Sequence, residues 1–171
     1  FDAGNQLVYL AQSGGMIGGG MDRMMGFLGD RILVNGQPDF TLPVATRAYR
    51  LRLLNGSNSR IYKLAWRDGR PLTVIATGGG LLEQPVPRPF VMLAPSERVE
   101  LWADFNGHQP GDELFLDSQE FVGAEGDELT TGAGGMGGMG GMMMATAALP
   151  NGAAFPVARF RVTRQEQGGE T

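Results

Sequence analysis

The chain has 171 residues, of which 42% are hydrophobic and 19% are charged, and this balance suits one globular domain with a core of useful size. Its net charge of −4 gives no basic footprint for nucleic acid and no polybasic stretch for a membrane, and no apolar run could span a bilayer, so neither partner is expected. Because there is no cysteine and only one histidine, His108, the composition excludes disulfides, thiolate chemistry and cysteine-containing metal sites.

The first unusual segment, residues 13–30, reads SGGMIGGGMDRMMGFLGD and lacks a strand pattern. It contains four methionines: Met16, Met21, Met24 and Met25. The part MDRMMGFLGD is compatible with one amphipathic turn that packs its methionines on the domain, because methionine fills irregular gaps in cores. We favour this packing, with metal binding as the alternative.

Residues 31–105 are predicted to form consecutive β-strands. RAYRLRLLN (47–55) and RVELWADF (98–105) alternate apolar with polar positions, which predicts one buried and one wet face for each strand. GDELFLD (111–117) and VARFRVT (157–163) complete the set. Short strands without a long helical period, separated by turns rich in glycine, proline and asparagine, predict an all-β sandwich or barrel.

Two turns and one methionine within the strand region carry specific predictions. Asp68-Gly69 is a pair that favours a type I′ hairpin, so the strands on either side of it are expected to pair with each other. The glycines at 78–80 predict a turn that needs a permissive backbone, since no lysine or helix of a phosphate-binding loop follows them. Met92 lies in a predicted strand and is expected in the core.

The second unusual segment, residues 121–155, is a low-complexity insertion before the last predicted strand. Its centre, GAGGMGGMGGMMM (132–144), repeats a Gly-Gly-Met unit and holds five methionines: Met136, Met139, Met142, Met143 and Met144. Thioethers are soft, neutral donors that suit Cu(I), and the glycine spacers allow several sulfurs to converge. The five are therefore candidate ligands for transient Cu(I) capture. The alternatives are an adaptable linker and a set of sacrificial oxidation targets.

The remaining polar groups have a plainer interpretation, and no catalytic residue is predicted. His108 is flanked by Asn106, Gly107 and Pro110, so it is expected in an exposed turn. The neighbouring acidic residues are interpreted as solvated charge, because nothing in the sequence separates their pKa values: Asp112, Glu113, Glu125, Asp127 and Glu128. The arginines that alternate along strands are expected on an exposed or interdomain face: Arg50, Arg52, Arg159 and Arg161.

Four ordered blocks carry a family resemblance: GDRILVNGQPDFTLPV, YRLRLLNGSNSRIYKL, DGRPLTVIATGGGLLEQPV and LAPSERVELWADF. They closely resemble the middle cupredoxin domain of three-domain multicopper oxidases, in the branch of bacterial copper-efflux oxidases, bilirubin-oxidase-type enzymes and cell-division cupredoxin-like proteins. The resemblance implies a Greek-key cupredoxin-like β-sandwich with a long Gly/Met-rich insertion. It also implies that residues 1–171 are one domain of a larger oxidase. The family usually has an acidic residue where this chain has Gly78.

The resemblance further implies where the copper chemistry of a parent enzyme lies. In the family, two histidines and a cysteine of the last domain hold a blue copper, and a trinuclear cluster lies between the first and last domains. A chain without cysteine cannot build the blue-copper site, so this domain is expected to require no copper of its own. Its expected partners are the first and third cupredoxin domains of the parent.

Such a parent would oxidise a substrate in one-electron steps and reduce dioxygen to water. The bacterial members are mostly exported, so the resemblance implies a periplasmic or extracellular location. The alternative for the parent is a non-enzymatic, cupredoxin-derived scaffold or interaction protein, as in the cell-division branch.

Overall fold

The computed structural model describes residues 28–122, 149 and 151–166. Nine strands are present in this part of the chain: β1 (Thr41–Ala45), β2 (Ala48–Leu54), β3 (Tyr62–Trp66), β4 (Leu72–Thr77), β5 (Gly80–Arg88), β6 (Val91–Leu93), β7 (Arg98–Asp104), β8 (Glu113–Ser118) and β9 (Phe155–Arg164). No helix within these ranges is long and apolar enough to cross a membrane. The prediction of an all-β domain is confirmed.

The strands form two sheets. The five-stranded sheet has the order β1-β9-β8-β3-β6, and the four-stranded sheet has the order β2-β7-β4-β5. β1 and β9 pair in parallel, whereas the other described pairs are antiparallel. Consecutive strands such as β1 and β2, or β3 and β4, belong to different sheets, so the chain crosses repeatedly from one sheet to the other. The two sheets enclose one apolar core between them, which is the architecture of a β-sandwich.

The alternating pattern of β7 shows how the sequence builds this core. Val99, Leu101 and Ala103 are buried, while Trp102 and Asp104 on the opposite face are exposed. Successive side chains of a strand point to opposite faces, so an apolar residue at every second position gives one face to the core. The predicted alternation of 98–105 is confirmed, and the same holds for β2.

Aromatic rings fill the middle of the sandwich. Phe105, which directly follows β7, is fully buried. Its ring centroid lies 5.7 Å from that of Tyr49, 6.4 Å from that of Trp66 and 5.6 Å from that of Phe160. The Tyr49 and Trp66 rings meet it edge to face, an arrangement that adds to the free energy gained from burial alone.

The predicted hairpin at Asp68-Gly69 is wrong. The turn exists, with the Gly69 N–H donating to the Trp66 carbonyl at 3.0 Å and a φ of +81° at Gly69. However, β3 and β4 on its two sides lie in different sheets, because Trp66 and Leu72 are both buried in the core from opposite layers. The hairpin is instead formed by β4 and β5, which pair across the glycines at 78–80, and the predicted glycine turn is confirmed there.

The expectation that Met92 is a core residue is also wrong. Met92 does lie in a strand, β6, but 42% of its surface is exposed. Its neighbour Leu93 is buried in the core. Because the side chains of a strand alternate, burial of Leu93 turns Met92 outward.

We predict that Phe105→Ala lowers the free energy of unfolding by about 3–5 kcal/mol, since it removes a fully buried ring and leaves a cavity among three aromatic partners. Urea unfolding followed by tryptophan fluorescence would measure the change. The matched control is Phe90→Ala, which truncates a phenylalanine that is 41% exposed and should cost about 1 kcal/mol or less. Equal costs for the two variants would contradict the assignment of Phe105 to the centre of the core.

Candidate functional site

The turn after β2 is organised by the buried side chain of Asn55. Its Nδ2 donates to the carbonyl oxygens of Arg60 at 2.7 Å and Leu93 at 2.9 Å. Its Oδ1 accepts from the backbone N–H of Ser57 at 3.0 Å. An asparagine amide that is satisfied on both sides fixes the course of residues 55–60. It thereby determines where the side chain of Arg60 lies.

Arg60 joins three distant parts of the chain. The residue is 2% exposed, and its Nη2 donates to the carbonyl oxygens of Gly29 at 2.7 Å and Leu149 at 2.6 Å. The guanidinium also lies over the ring of Phe155, 5.5 Å from its centroid. Burial lowers the pKa of Arg60 from its ordinary value, and the nearby Tyr62 opposes this effect. The carbonyl partners compensate for the loss of water around the charge.

The base of the long insertion is closed beside this arginine. The Phe121 N–H donates to the Gly152 carbonyl at 3.0 Å, and the Ile61 N–H donates to the Asn151 side chain at 3.3 Å. Gly152 has a φ of +82°, and a Cβ at this position would lie 2.2 Å from the Phe121 carbonyl oxygen. The two chain segments can therefore approach this closely only because residue 152 is glycine.

Arg60 consequently holds described residues of both glycine- and methionine-rich segments. Gly29 belongs to the first segment and Leu149 to the second. The methionines themselves, including all five candidate Cu(I) ligands, lie outside the described residues: Met16, Met21, Met24, Met25, Met136, Met139, Met142, Met143 and Met144. What the geometry establishes is a common anchor for the two segments at one end of the sandwich.

His108 lies at the opposite end, in the turn between β7 and β8. Its Nδ1 is 3.2 Å from Asp112 Oδ2, and its Nε2 is 3.2 Å from Arg70 Nη2. A guanidinium can only donate hydrogen bonds, so Nε2 of His108 accepts one from Arg70. Nδ1 then carries the ring proton and donates a hydrogen bond to Asp112. His108 lies near the start of β8 and Arg60 lies near its end. Because β8 has six residues and a strand rises about 3.3 Å per residue, the two side chains are separated by roughly 20 Å along the strand direction. The predicted turn is confirmed, but the imidazole is partly covered and engaged at both nitrogens.

The acidic residues next to His108 make local pairs. The hydrogen bond that the Gln109 backbone N–H donates to Asp112 lowers the pKa of that carboxyl group, and the hydrogen bond from His108 adds a smaller effect in the same direction. Hydrogen bonds from Arg161 lower the pKa of Glu113 in the same way. Both carboxylates are exposed, which agrees with their interpretation as solvated charge, whereas Glu125, Asp127 and Glu128 lie outside the described residues. Within the described ranges, no group of three or more histidine, cysteine or acidic side chains could hold a metal ion.

The strand arginines pair within the chain. Arg50 and Arg52 both contact Glu100 on the four-stranded sheet. On the five-stranded sheet, Glu113 contacts the other two predicted surface arginines, Arg159 and Arg161. Each sheet thus carries an ion-pair cluster on its outer face.

An open depression of about 380 Å³ lies on the outer face of the five-stranded sheet, near the start of β9. Its charged lining includes Arg67 and Asp117, which form two parallel hydrogen bonds of 2.7 and 2.8 Å. The hydrogen bonds that Arg67 donates to the Asp117 carboxylate raise the pKa of Arg67. Because both oxygens of Asp117 accept hydrogen bonds from Arg67, a structural role is favoured over acid–base chemistry for this pair.

Curated proteins similar to this chain are cell division proteins. FtsP from Edwardsiella tarda is 45% identical over 98 residues, which cover 57% of this chain and 20% of that protein. FtsP from Escherichia coli K12 is 46% identical over 91 residues, covering 53% of this chain and 19% of that protein. The chain therefore spans about a fifth of the length of the curated relatives it matches. No family model matches it.

Solved structures with the same fold are multicopper oxidases. The 2F4 variant of the McoA multicopper oxidase from Aquifex aeolicus is 30% identical with a TM-score of 0.65, covering 86% of this chain and 28% of that one. The laccase-like multicopper oxidase CueO from Ochrobactrum sp. is 30% identical with a TM-score of 0.62, covering 88% and 27%. The chain is a cupredoxin-like domain related to the multicopper oxidases and to FtsP.

This cupredoxin-like domain lacks the donor set of a blue-copper site. That site needs two histidines and a cysteine, and the 171 residues contain one histidine and no cysteine. The single imidazole is already engaged by Asp112 and Arg70. The residues present therefore do not fit a blue copper.

The importance of Arg60 was not predicted from the sequence. The run NGSNSR reads as a polar turn, and an arginine at its end is ordinarily exposed. The available signal was Asn55, an amide placed directly after an apolar strand, where its side chain can order a turn. Nothing local indicates that the arginine itself is buried, because its partners are backbone carbonyls far away in sequence.

We predict that Gly152→Ala destabilises the domain by more than about 1 kcal/mol, because the methyl group would overlap the Phe121 carbonyl oxygen in addition to being strained at positive φ. Gly69→Ala is the matched control, since Gly69 has a φ of +81° and no heavy atom within 4 Å of the added Cβ. Urea unfolding of both variants isolates the overlap from the backbone strain. Equal losses would show that the close approach at Phe121 is unimportant.

We predict that Arg60→Met lowers the free energy of unfolding by about 2–4 kcal/mol, because it leaves the Gly29 and Leu149 carbonyls without their donor. Amide hydrogen exchange should accelerate together in peptides covering residues 28–34 and 151–155. The control Arg67→Met removes an arginine from an exposed ion pair and should cost about 1 kcal/mol or less. Acceleration in only one of the two peptides would refute the common anchor.

Proposed function

We propose that the chain is the copper-free middle domain of a three-domain multicopper oxidase and that it orients the two catalytic domains. The observation that carries this proposal is the structural similarity to multicopper oxidases at 30% identity over 86% of the chain. The chain spans 28% of that relative, which is the share expected of one domain among three. The location proposed for the parent is periplasmic or extracellular.

The side chains of the domain support a structural role. It has no cysteine, and its one histidine is held by two neighbours. Three of its described carboxylates, those of Glu100, Glu113 and Asp117, form local ion pairs with arginines. The chemistry of the parent would then belong to its other domains: a substrate gives up electrons singly, and one dioxygen takes four electrons and four protons to form two molecules of water.

We further propose that the methionine-rich insertion collects Cu(I) as a substrate for the parent. Soft, uncharged thioethers suit a cuprous ion and need no deprotonation. Five of them occur between residues 136 and 144. The contacts of Arg60 with Leu149 and of Gly152 with Phe121 support this role, because they hold the described residues at the two ends of the insertion close together. Four cuprous ions, each losing one electron, would supply the reduction of one dioxygen.

Cuprous titration of the chain against a competing chelator tests the capture proposal. The variant Met136→Ser/Met139→Ser/Met142→Ser should bind Cu(I) at least about tenfold more weakly, a difference of about 1.4 kcal/mol. The control is Met92→Ser, which removes an exposed methionine from strand β6 and should leave binding unchanged. Indistinguishable binding by the triple variant and the unmodified chain would refute the capture proposal and leave the domain assignment intact.

A second candidate is a non-enzymatic scaffold, which the 45% identity to FtsP cell division proteins favours. The two candidates differ in the polypeptide on either side of this domain. A multicopper oxidase requires His-x-His motifs upstream and a His-Cys-His motif downstream, because these side chains hold its copper ions. Sequencing the gene around this segment tests the choice: the absence of both motifs would contradict the oxidase proposal and favour the scaffold.

A further inference from the structure

The outer face of the four-stranded sheet has a distinctive composition. Strand pairing places one row of side chains there, Arg50–Trp102–Thr73–Pro87, and a neighbouring pair, Arg52 and Glu100. Leu81 of β5 also points outward, because the next residue, Leu82, packs against the core. We call this surface the Trp102 face. It combines a tryptophan on the central strand β7 with an ion-pair cluster along the edge strand β2.

The apolar side chains of the Trp102 face are accessible. Trp102 is 49% exposed and Leu81 is 71% exposed, whereas Trp66, the other tryptophan, is buried in the core. Burial of a tryptophan contributes more free energy than burial of most other side chains, and tryptophan and arginine dominate the energetic centres of protein interfaces. Because β7 is paired on both sides, the backbone that carries Trp102 is fixed, so only the side chain has to be ordered when it is buried in an interface.

The ion pairs of the face leave donors for an outside group. One oxygen of Glu100 accepts from Arg50, and its other oxygen lies 3.5 Å from the Nε of Arg52. The hydrogen bond from Arg50, together with the charges of Arg50 and Arg52, lowers the pKa of Glu100, so this carboxylate stays charged beside both arginines. A guanidinium has five N–H groups, and these two arginine side chains are 42% and 72% exposed. Carboxylates or carbonyl oxygens are the groups that such donors bind.

The outer face of the other sheet has its charged and aromatic side chains paired with one another along β8 and β9. The Arg67 guanidinium lies 3.9 Å from the ring centroid of Phe115 and forms two hydrogen bonds with Asp117. Arg161 forms two more with Glu113. Along β8 and β9 the guanidinium groups therefore cover Phe115 and satisfy the carboxylates, whereas Trp102 and the two arginines beside it stay available to an outside group.

We propose that the Trp102 face docks an adjoining domain of the same polypeptide, which presents an apolar patch to Trp102 and Leu81 and carboxylate or carbonyl oxygens to Arg50 and Arg52. This proposal rests on the proposed function, since it requires a longer polypeptide. The chain spans 28% of the multicopper oxidase chain that it resembles, so much of such a polypeptide lies outside it. A linked domain acts at a millimolar effective concentration, so a small, partly polar face is sufficient for it.

Hydroxyl-radical footprinting with mass spectrometry tests the proposal by comparing the 171-residue chain with the full-length polypeptide that contains it. Trp102 should oxidise about fivefold more slowly in the full-length protein, because the centre of an interface is nearly inaccessible. Phe90, 41% exposed and outside this face, is the internal control and should change little. Slow oxidation of the buried Trp66 in both samples verifies that both are folded.

Two results would overturn the proposal. Equal oxidation of Trp102 in both samples would mean that the face stays open. Protection of Trp102 in the 171-residue chain that increases with its concentration would mean that a second copy covers the face. The readout involves no copper, so a failed Cu(I) titration would not affect it.

A pair of variants gives an independent measurement. Trp102→Lys should lower the melting temperature of the full-length protein and leave that of the 171-residue chain nearly unchanged. Phe90→Lys should leave both nearly unchanged. An equal effect of Trp102→Lys on the two proteins would assign Trp102 a role within its own domain and would overturn the proposal.

Discussion

The guanidinium of Arg60 is the contact on which the loop-bearing end of the sandwich depends. It donates to carbonyl oxygens that lie 31 and 89 positions away in the sequence, at Gly29 and Leu149, and its flat face covers Phe155. A buried charge without acceptors is strongly destabilising, and buried carbonyls without donors are costly as well. The arginine and its partners therefore stabilise one another, and three remote parts of the chain stay at one point.

That contact accounts for the other unusual residues at the same end. Asn55 orders the turn that carries Arg60, and Gly152 allows the chain beyond the insertion to return within hydrogen-bonding distance of Phe121. The entropy of closing a loop grows only slowly with its length. A long insertion between β8 and β9 is therefore tolerated once its two ends are held, and the sheets on either side keep their register.

Most strands could be predicted from the sequence because alternation is a local property. In residues 98–105 the polarity of each side chain indicates whether it faces the core or the solvent, and the burial of β7 follows that pattern. Pairing between strands is not local, and Asp68-Gly69 shows this: the turn forms, but burial of Trp66 and Leu72 sends its two arms into different sheets. The burial of Arg60 could not be predicted either, because its contacts are also not local. Its partners are backbone carbonyls, which every residue has, so no residue type marks them.

Cu(I) capture and domain docking, the two proposed roles, use separate parts of the molecule. The first needs an adaptable backbone and the second needs a fixed one. A cuprous site of glycine-spaced methionines depends on a backbone that can bring sulfurs around an ion, and the sandwich contributes only its anchor at Arg60. An interface anchor depends on a backbone that is already in place. The backbone of Trp102 is in place because β7 is hydrogen-bonded to β2 on one side and to β4 on the other. Its position lies in the middle of the sheet rather than at the loop-bearing end. Metal capture and domain contact can therefore be lost independently, since neither relies on the residues of the other.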